Sequence, residues 1–350
     1  MGVVFERVSK AFADGTVALD SLDLAFDTGE FVLILGPSGS GKTTACRILA
    51  GLETPSSGTV SVDGRNITRL PPRERGMSMV FQNYALYAHK TVYENIAYPL
   101  RVRGAPKGGI DRAVRDIARM LQIDAQLDRR PAQLSGGQAQ RVAVARALVW
   151  QPDICLMDEP LSNLDALLRL QTRTELKRLH AELGKTFVFV THDQEEAMTL
   201  GTRIAVLNEG RLVQFDAPRQ IYRRPASRFV AEFIGRPAMN TIDGAVAGGV
   251  FRAGPFELSV GRPDGPLALG IRPEQIVVCP APTPDSIAFQ LDVMELVEPE
   301  TLLFLRKGPV ALIARVLRDL GDLRPGTDIH LELPPQARHF FDSRTGARLA

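Results

Sequence analysis

Cysteine is scarce in this sequence and follows no pattern that would give it a role. The 350 residues include three cysteines, Cys46, Cys155 and Cys279, which lie far apart and outside any Cys-x-x-Cys spacing. An odd number without such a spacing predicts neither a disulfide framework nor a cysteine-based metal cluster. Each thiol is therefore expected to be a small buried apolar side chain, in a protein from a reducing compartment such as the cytosol.

Long apolar runs and a strong charge of either sign are also absent. Runs such as residues 31–35 and 187–190 have the length of a strand, far below the roughly 20 residues that a membrane-spanning helix needs. The N-terminal residues lack the charged start and long apolar stretch of a signal peptide. The formal net charge of +2 gives no electrostatic indication of nucleic-acid binding. We expect a soluble protein that would act at a membrane only through a partner.

A glycine-rich turn links the apolar run at residues 31–35 to a helical pattern. The turn and helix start read Gly36, Pro37, Ser38, Gly39, Ser40, Gly41, Lys42, Thr43 and Thr44. This is the Gly-x-x-x-x-Gly-Lys-Thr motif in the strand-to-helix context where backbone N–H groups surround phosphates. Lys42 would supply charge to the β- and γ-phosphates, and the Thr43 hydroxyl would bind Mg²⁺. The flanking strand and helix disfavour the alternative, a chance match in an ordinary turn.

A second helix start with exposed backbone N–H groups is predicted about a hundred residues later. Ser135 is a good N-cap, and it is followed by Gly136, Gly137 and Gln138. The N–H groups of the two glycines would lie at the positive end of the helix dipole, where anions bind. Because glycine lowers helix stability, two in succession favour a close approach to another group. Taken alone, the segment is equally consistent with a plain capped helix.

Acidic and imidazole side chains follow two further strand-like runs. Asp158 and Glu159 come after the apolar residues 154–157, and His192 comes after residues 187–191. The carboxyl ends of parallel strands meet at one edge of a sheet, where ligands bind. Asp158 would hold Mg²⁺, Glu159 would orient and deprotonate a water aimed at the γ-phosphate, and His192 would contact that phosphate. Solvated acids and a structural histidine are the alternatives, and the position at the sheet edge disfavours them.

Two more candidates lie outside these runs. Phe12 is in a short polar connection, where an aromatic ring can stack on a nucleotide base. A core position for this ring is at least as consistent with the sequence. Gln82 directly follows the strand-like residues 77–81, again at the end of a predicted strand.

The pattern of the chain changes twice, which indicates its domain organisation. Residues 83–150 have helical spacing with almost no strand signal and are predicted to form a helical insert. Beyond residue 237, glycine and proline are dense and short alternating strands appear. One of these strands is expected to place three apolar residues on one face, Phe289, Leu291 and Val293. We therefore expect an α/β domain at residues 1–237, followed by a β-barrel-like domain at residues 238–350.

The order of these motifs resembles the nucleotide-binding subunit of an ABC transporter. The segment Leu-Ser-Gly-Gly-Gln at residues 134–138 is close to diagnostic of that superfamily. Residues 80–89, 160–165 and 233–240 look like the ATPases of bacterial carbohydrate and glycerol-phosphate importers, the maltose-importer type, and residues 269–274 resemble their C-terminal TOBE domain. The resemblance spans the whole chain. It implies a P-loop NTPase fold with a RecA-like core sheet, an antiparallel β subdomain and a helical insert, followed by an all-β, OB-like domain.

The resemblance also implies a role for each candidate residue. ATP would lie on residues 36–44, which wrap its phosphates. Gln82 and Asp158 would complete the environment of Mg²⁺ and of the attacking water. Glu159 would be the base, and His192 would brace the γ-phosphate.

Other roles concern the base of the nucleotide and a second subunit. In the family, the aromatic residue matched by Phe12 stacks on adenine. Ser135, Gly137 and Gln138 would act on the ATP held by the opposite subunit. Asp165 would communicate across the dimer interface.

The implied assembly contains membrane partners. By the family pattern, a second ATPase subunit, expected to be an identical chain, would pair with this one. Two integral-membrane permease subunits would bind the pair. A periplasmic-type solute-binding protein would act indirectly, and the ATPase would lie peripherally on the cytoplasmic face of the inner membrane. The solute stays open among sugars, polyols and glycerol phosphate.

Two departures from the family pattern and two competing classes of protein bear on this interpretation. Ala139 replaces a basic residue after the signature segment, and Ala88 replaces a proline in the region that docks the membrane subunit. Neither change removes a group needed for hydrolysis.

A soluble ABC ATPase without membrane partners would usually carry two cassettes or a long coiled-coil insert. A P-loop kinase would have no use for the segment at residues 134–138.

Overall fold

The structure is a computed structural model that describes residues 2–162, 164–297, 299–317, 320–321 and 323–349. Asn163, in the loop at residues 162–165 that carries part of the family resemblance, lies outside the described residues. The chain forms two compact units, Met1–Arg219 and Gln220–Ala350.

Two sheets and a set of helices make up the first unit. Its strands are β1 (Gly2–Ala11), β2 (Val17–Asp27), β3 (Phe31–Leu35), β4 (Ser57–Val62), β5 (Arg65–Asn66), β6 (Met77–Val80), β7 (Ile154–Asp158), β8 (Thr186–Thr191), β9 (Arg203–Asn208) and β10 (Arg211–Asp216). Its helices are α1 (Lys42–Ala50), α2 (Val92–Val102), α3 (Lys107–Met120), α4 (Gly136–Leu148), α5 (Ala166–Leu183) and α6 (Gln194–Leu200). Residues 83–150, all of them described, contain α2, α3 and α4 and no strand, as their spacing predicts.

The central sheet of the first unit has the strand order β10-β9-β3-β8-β7-β6. Strand β3 pairs in parallel with β8 and β9, and β7 pairs in parallel with β6 and β8. Every residue of β3 and β8 is buried, which explains why these strands appear in the sequence as unbroken apolar runs. The register places Leu35 beside Thr191 and Asp158 beside Val190. Three strand ends therefore meet at one edge of the sheet.

A second sheet of the first unit is antiparallel, with the order β2-β1-β4-β5. Its apolar residues share one core with the central sheet and with helix α1, and Phe5, Leu22 and Val60 are among the fully covered members. Cys46 and Cys155 are buried, as expected, whereas Cys279 in the second unit is only partly covered. Burial raises the pKa of Cys155 to about 12. These thiols therefore pack as apolar groups.

The second unit is built mainly of strands, which form two five-stranded sheets. Its strands are β11 (Asn240–Ala247), β12 (Val250–Ala253), β13 (Phe256–Ser259), β14 (Gly265–Ile271), β15 (Val277–Cys279), β16 (Ile287–Val297), β17 (Glu300–Lys307), β18 (Val310–Val316), β19 (Asp328–Glu332) and β20 (Arg338–Asp342). The strand orders are β13-β12-β11-β14-β20 and β15-β19-β16-β17-β18. Residues from both sheets fill one apolar core that includes Phe251, Phe256 and Phe289.

One expected strand face is wrong. The alternation in β16 predicted that Phe289, Leu291 and Val293 share a buried face. Phe289 and Leu291 are each 1% exposed, but Val293 is 49% exposed. The pairing with β17 shifts register between Leu291 and Val293, and such a bulge moves the following residue to the opposite face.

Two short helices, α7 (Pro218–Arg223) and α8 (Arg228–Phe233), lie around and after the division between the units. Ala231 of α8 packs in a small core with residues of β14 and β20. The Arg272 side chain, which is 1% exposed, donates hydrogen bonds to the carbonyl oxygens of Ala231, Ile234 and Tyr222. The stretch from residue 220 to residue 237 therefore packs with the β-rich unit. Among the described residues, no helix combines the length and apolar character needed to cross a bilayer.

Candidate functional site

The glycine-rich turn lies between the buried strand β3 and helix α1. Helix α1 begins at Lys42, with Gly41 as its N-cap in a left-handed conformation at φ 96°. A side chain at position 41 would bring a Cβ within 2.3 Å of the Ala18 carbonyl oxygen, and one at Gly36 would lie 2.3 Å from the Leu207 carbonyl oxygen. These two glycines are therefore required by the backbone path. The path leaves the N-terminal N–H groups of α1 at the sheet edge.

Lys42 is 5% exposed and lies over its own turn. Its Nζ atom donates to the carbonyl oxygens of Gly36 and Pro37, at 3.0 and 2.8 Å. Burial lowers the pKa of Lys42, while the carboxylates of Glu159 and Asp158 act in the opposite direction. The ammonium group thus lies between the turn and the two carboxylates, where it can reach a bound phosphate.

The Thr43 hydroxyl and the Asp158 carboxylate meet at the end of β7. Thr43 Oγ1 donates to Asp158 Oδ1 at 3.0 Å. Burial raises the pKa of Asp158; the hydrogen bond from Thr43 opposes this effect, and the Glu159 carboxylate adds to it. Hydroxyl and carboxylate oxygens are the hard donors that Mg²⁺ prefers. The residues present therefore fit a magnesium ion.

Glu159 is the centre of a polar cluster at the same edge. Its Oε1 lies 3.3 Å from His192 Nδ1, and its Oε2 accepts from Gln82 Nε2 at 3.3 Å. The backbone of Glu159 is left-handed at φ 45°, and its N–H donates to the Val190 carbonyl oxygen of β8. Ser162 Oγ donates back to the Glu159 carbonyl oxygen at 3.0 Å. The neighbouring strand and loop thus hold the backbone of Glu159 in this strained conformation, from which its carboxylate projects toward His192 and Gln82.

The loop after β8 is supported by a network that the sequence did not indicate. Thr191 Oγ1 donates to the buried Glu196 carboxylate, and Arg169 lies 3.5 Å from Asp193 and 3.9 Å from Glu196. Burial raises the pKa of Glu196, and the hydrogen bond from Thr191 opposes that effect. This network lies next to His192 and fixes the loop that carries it.

The start of α4 is a capping box. Ser135 Oγ accepts from the Gln138 N–H, and Gln138 Oε1 accepts from the Ser135 N–H. A Cβ at Gly137 would lie 2.6 Å from a methyl carbon of Leu168 in α5. One group that closely approaches these glycines, as predicted, is therefore a side chain of the same chain. Among the described residues, no hydrogen bond or ion pair joins this helix start to the glycine-rich turn.

Two other candidates lie at element ends. Asp165 is the N-cap of α5, and its Oδ1 accepts from the Leu168 N–H at 2.9 Å. Phe12 follows β1 and is 40% exposed, so the alternative of a core aromatic is wrong. Its ring lies 5.1 Å from the Lys10 ammonium nitrogen. An exposed ring on this turn is available for stacking.

Arg75 was not recognised in the sequence, although it supports helix α1 directly. It is 8% exposed and donates to the carbonyl oxygens of Ile48 and Leu49 at 2.7 and 2.9 Å. Further bonds run to the carbonyl oxygens of Leu70 and Thr68. A cation at the C-terminal end of a helix is favoured by the helix dipole. The arginine-rich stretch at residues 69–75 was the only signal, and it did not single out this side chain.

A groove of about 670 Å³ lies between β6 and the helical insert. Aromatic and apolar side chains line it, including Phe81, Tyr98, Val102 and Trp150. Val102 is 69% exposed and Tyr98 is 37% exposed. The groove begins at the segment that also carries Gln82, so it adjoins the polar cluster along the chain.

Known proteins resemble this chain over nearly its whole length. Residues 19–162 match a family model described as ABC transporter. The chain is 44% identical over 361 residues to the sn-glycerol-3-phosphate import ATP-binding protein UgpC of Salmonella typhi, covering 99% of both chains. It is 44% identical over 355 residues to the protein of that name from Yersinia enterocolitica, covering 98% of both.

Two solved structures are each similar to somewhat less than two thirds of the chain. One is cbiO1 from Clostridium perfringens, part of the ABC transporter complex cbiONQ, with a TM-score of 0.59 and 28% identity over 63% of this chain and 90% of that one. The other is MJ0796, a bacterial ABC transporter cassette solved as a dimer, with a TM-score of 0.57 and 34% identity over 62% of this chain and 99% of that one. With such identity to full-length relatives, this chain belongs to the family of ABC transporter ATP-binding proteins.

Proposed function

We propose that this chain is the ATPase subunit that powers import of a phosphorylated polyol of the glycerol-phosphate type. As a member of its family it binds ATP and is an ATPase. The relatives that match it over nearly their whole length are import proteins for sn-glycerol-3-phosphate, which favours this solute over sugars and unphosphorylated polyols. The observation that supports the hydrolytic role most directly is the cluster of Glu159, His192 and Gln82 beside the glycine-rich turn.

ATP would bind with its phosphates on residues 36–44 and adenine against Phe12. The N-terminal N–H groups of α1 and the Lys42 ammonium would hold the β- and γ-phosphates. Thr43, Asp158 and Gln82 would hold Mg²⁺, which would neutralise charge that develops between the β- and γ-phosphates. The 3.0 Å contact between Thr43 and Asp158 supports this assignment of ligands.

Glu159 would orient the attacking water and accept its proton. His192, 3.3 Å from the carboxylate, would brace the γ-phosphate and fix the position of that carboxylate. Gln82 lies on the other carboxylate oxygen and would sense whether the γ-phosphate is in place. A carboxylate held by two neighbours is positioned for general base catalysis.

A second copy of the chain would complete each site. Ser135, Gly136, Gly137 and Gln138 would bind the γ-phosphate of ATP on the opposite subunit, and Asp165 would respond across the interface. Each tetra-anionic nucleotide would then need donors from both subunits, so ATP binding favours closure and hydrolysis releases it. The capping box at Ser135 supports this role because it leaves glycine N–H groups at a helix start.

Two integral-membrane permease subunits would bind the pair, and a periplasmic-type binding protein would act through them. We assign the permease contact to the groove lined by Phe81, Tyr98, Val102 and Trp150, since its lining is mainly aromatic and apolar and it adjoins Gln82. Arg73, Arg103 and Arg146 also line this groove. Closure would then move the membrane partner together with the helical insert. The ATPase would lie peripherally on the cytoplasmic face of the membrane. Residues 1–237 would form the ATPase domain, with its helical insert at about 83–150, and residues 238–350 would form the regulatory, TOBE-like domain.

Uptake of labelled glycerol phosphate tests the proposed solute. Cells that lack this chain should lose uptake, and the wild-type chain should restore it while Glu159→Gln should not. Uptake of a sugar or an unphosphorylated polyol should not depend on the chain. If one of those solutes requires the chain and glycerol phosphate does not, the solute is misassigned.

Co-purification tests the membrane partner. The wild-type chain should co-purify with polytopic permease subunits when they are expressed together. Val102→Asp should weaken that association because it places a charge in the apolar groove. Val277→Asp makes the same change at a half-exposed site in the second unit and should leave the association intact. A chain that never enters a membrane complex would support the soluble ABC ATPase instead.

A further inference from the structure

A cavity of about 530 Å³ lies within the second unit, and arginine supplies most of its charge. Its lining comes from the end of α7 and the residue after it, the turn after β14, the start of β20 with Gln336 just before it, and Arg348 in the segment that follows β20. The five arginines in the lining are Arg223, Arg224, Arg272, Arg338 and Arg348. Small-molecule sites have volumes of about 300–1,000 Å³. The cavity therefore has the size of a ligand site and a strongly positive wall.

One carboxylate faces these arginines, and it is engaged by other groups. Glu274 is the acidic residue in the lining. It accepts a hydrogen bond from the Tyr222 hydroxyl and lies 3.8 Å from the Arg315 guanidinium. Within the described part of the chain, the lining thus keeps a large excess of positive charge. Such an excess attracts small anions.

Three buried nitrogen atoms of the lining lack a hydrogen-bond partner. Arg348 Nη1, His339 Nδ1 and Arg272 Nε have none among the described residues, and His339 is 8% exposed. Burial lowers the pKa of His339 to about 4, and the charges of Arg348 and Arg272 add to this effect. The imidazole is therefore neutral at physiological pH, and its Nδ1 can donate in one tautomer. Buried polar atoms normally have partners, so the cavity has hydrogen-bonding capacity that a ligand would use.

Other arginines of the wall are held rigidly by main-chain oxygens. Arg338 donates to the carbonyl oxygens of Leu333 and Ser259, each at 2.7 Å. Arg272 donates to carbonyl oxygens of the α7–α8 region and stacks on the Tyr222 ring at 4.2 Å. Fixed guanidinium groups lose little entropy when they bind an anion. The exposed Arg223 and Arg224 complete the wall on the solvent side.

We propose that this cavity binds a phosphate group, as inorganic phosphate or as a small phosphate monoester. Planar guanidinium groups match the spacing of phosphate oxygens and form charge-assisted pairs with them. Arg348, His339 and Arg272 each supply a buried nitrogen that has no partner within the described chain. This site is separate from the ATP site and does not depend on the proposed transport function.

Calorimetric titration of the full-length chain with inorganic phosphate tests the proposal. The chain should carry Lys42→Ala, which weakens phosphate binding at the glycine-rich turn. Saturable binding is expected, and Arg348→Gln should weaken it about tenfold or more because a charge-assisted hydrogen bond is lost. Arg223→Gln changes an exposed side chain, so it preserves folding, and it should also weaken binding.

Arg324→Gln is the matched control, since it removes the same charge from an exposed position of the same unit. Binding by this variant should equal that of the parent chain. The proposal is overturned if phosphate does not bind saturably, or if Arg324→Gln weakens phosphate binding as much as the cavity variants do. It is also overturned if neither Arg348→Gln nor Arg223→Gln changes phosphate binding. Displacement of bound phosphate by chloride at constant ionic strength would overturn the proposal as well. A parallel titration with glycerol phosphate distinguishes the two possible ligands. Tighter binding of glycerol phosphate would identify a phosphate monoester as the occupant, and tighter binding of inorganic phosphate would identify free phosphate.

Discussion

Glu159 is the residue on which hydrolysis is expected to depend most. Its carboxylate is held between His192 and Gln82, and glutamine preserves its size while removing its basicity. Glu159→Gln should therefore keep ATP binding and lose about 100-fold or more of the turnover. Phosphate release and nucleotide binding measure the two effects.

A control for this substitution lies on the exposed side of α5. Glu182→Gln makes the same chemical change in a side chain that pairs with Arg178 at the surface. Its turnover should match that of the wild type. Near-normal turnover in Glu159→Gln would remove the carboxylate from the role of base.

Ser135 caps helix α4, and substitution can separate this structural role from its proposed role at the opposite nucleotide. Arginine at this position would block the opposite nucleotide but would also remove the helix cap, which costs about 1 kcal/mol. Aspartate is itself a good N-cap, and its charge would repel the γ-phosphate. Ser135→Asp should therefore unfold like the wild type, and both Ser135→Asp and Ser135→Arg should lose hydrolysis while still binding ATP through Lys42. Unimpaired hydrolysis in both variants would contradict the role across the dimer.

Asp158 should make stability depend on pH. Burial raises its pKa, so ionisation costs folding free energy at neutral pH. Below about pH 4 the carboxyl is protonated in the folded and unfolded states alike, and the cost disappears. Asp158→Asn should therefore raise the free energy of unfolding near pH 7 and change it little in acid. Chemical denaturation at both pH values measures this, with the exposed Asp128→Asn as the control expected to show no such difference.

At the scale of elements, the C-terminal end of α1 depends on Arg75. Its guanidinium satisfies four carbonyl oxygens that belong to the helix end and to the residues before β6. Arg75→Met should lower the free energy of unfolding by about 2–4 kcal/mol, because buried carbonyl groups lose their donors. Arg75→Lys should recover little, since a single ammonium group cannot reproduce the planar fork.

Arg73 provides the control for this prediction. Its side chain is 85% exposed, so Arg73→Met should change stability little in the same denaturant titration. If Arg73→Met lowers the free energy of unfolding as much as Arg75→Met does, the loss of a positive charge is responsible and the contacts with carbonyl oxygens are not.

The ends of several helices follow from local chemistry. Ser135 caps α4, as predicted, and α1 and α5 end at Gly51 and Gly184 in left-handed conformations. These signals act within a few residues, so a single sequence contains them. The meeting of Asp158 with Thr43 follows from a rule about parallel strands, which is also visible in the sequence.

Other features depend on contacts that leave no local signal. Within the described part of the chain, the Arg75 side chain bonds to main-chain oxygens. Every residue has such an oxygen, so no partner residue marks the role of Arg75. The exposure of Val293 results from a bulge, and a bulge is decided by how two strands pair. The neighbour of Gly137 is Leu168, which comes from a helix that lies more than twenty residues later. Long-range packing of this kind could not be read from the pattern.

At the scale of the whole molecule, occlusion of nucleotide tests the proposed pairing of two chains. Glu159→Gln incubated with Mg-ATP should retain ATP through gel filtration, in a particle of two chains. Adding Ser135→Asp to this variant should release the nucleotide, because each site would lose the donors of the opposite subunit. The Glu182→Gln chain should retain none, since it still hydrolyses ATP. Retention of ATP by the double variant would show that the segment at residues 134–138 lies outside the ATP site.

The segment from residue 220 to residue 237 has a consequence for recombining such proteins. It looks like the tail of the ATPase, yet Ile221, Val230 and Ile234 are fully covered, and Arg272 of the β-rich unit binds its carbonyl groups. A chimera joined at residue 237 would separate these side chains from their own partners. A join near residue 219 would transfer the C-terminal β-rich unit together with the helical stretch that packs against it.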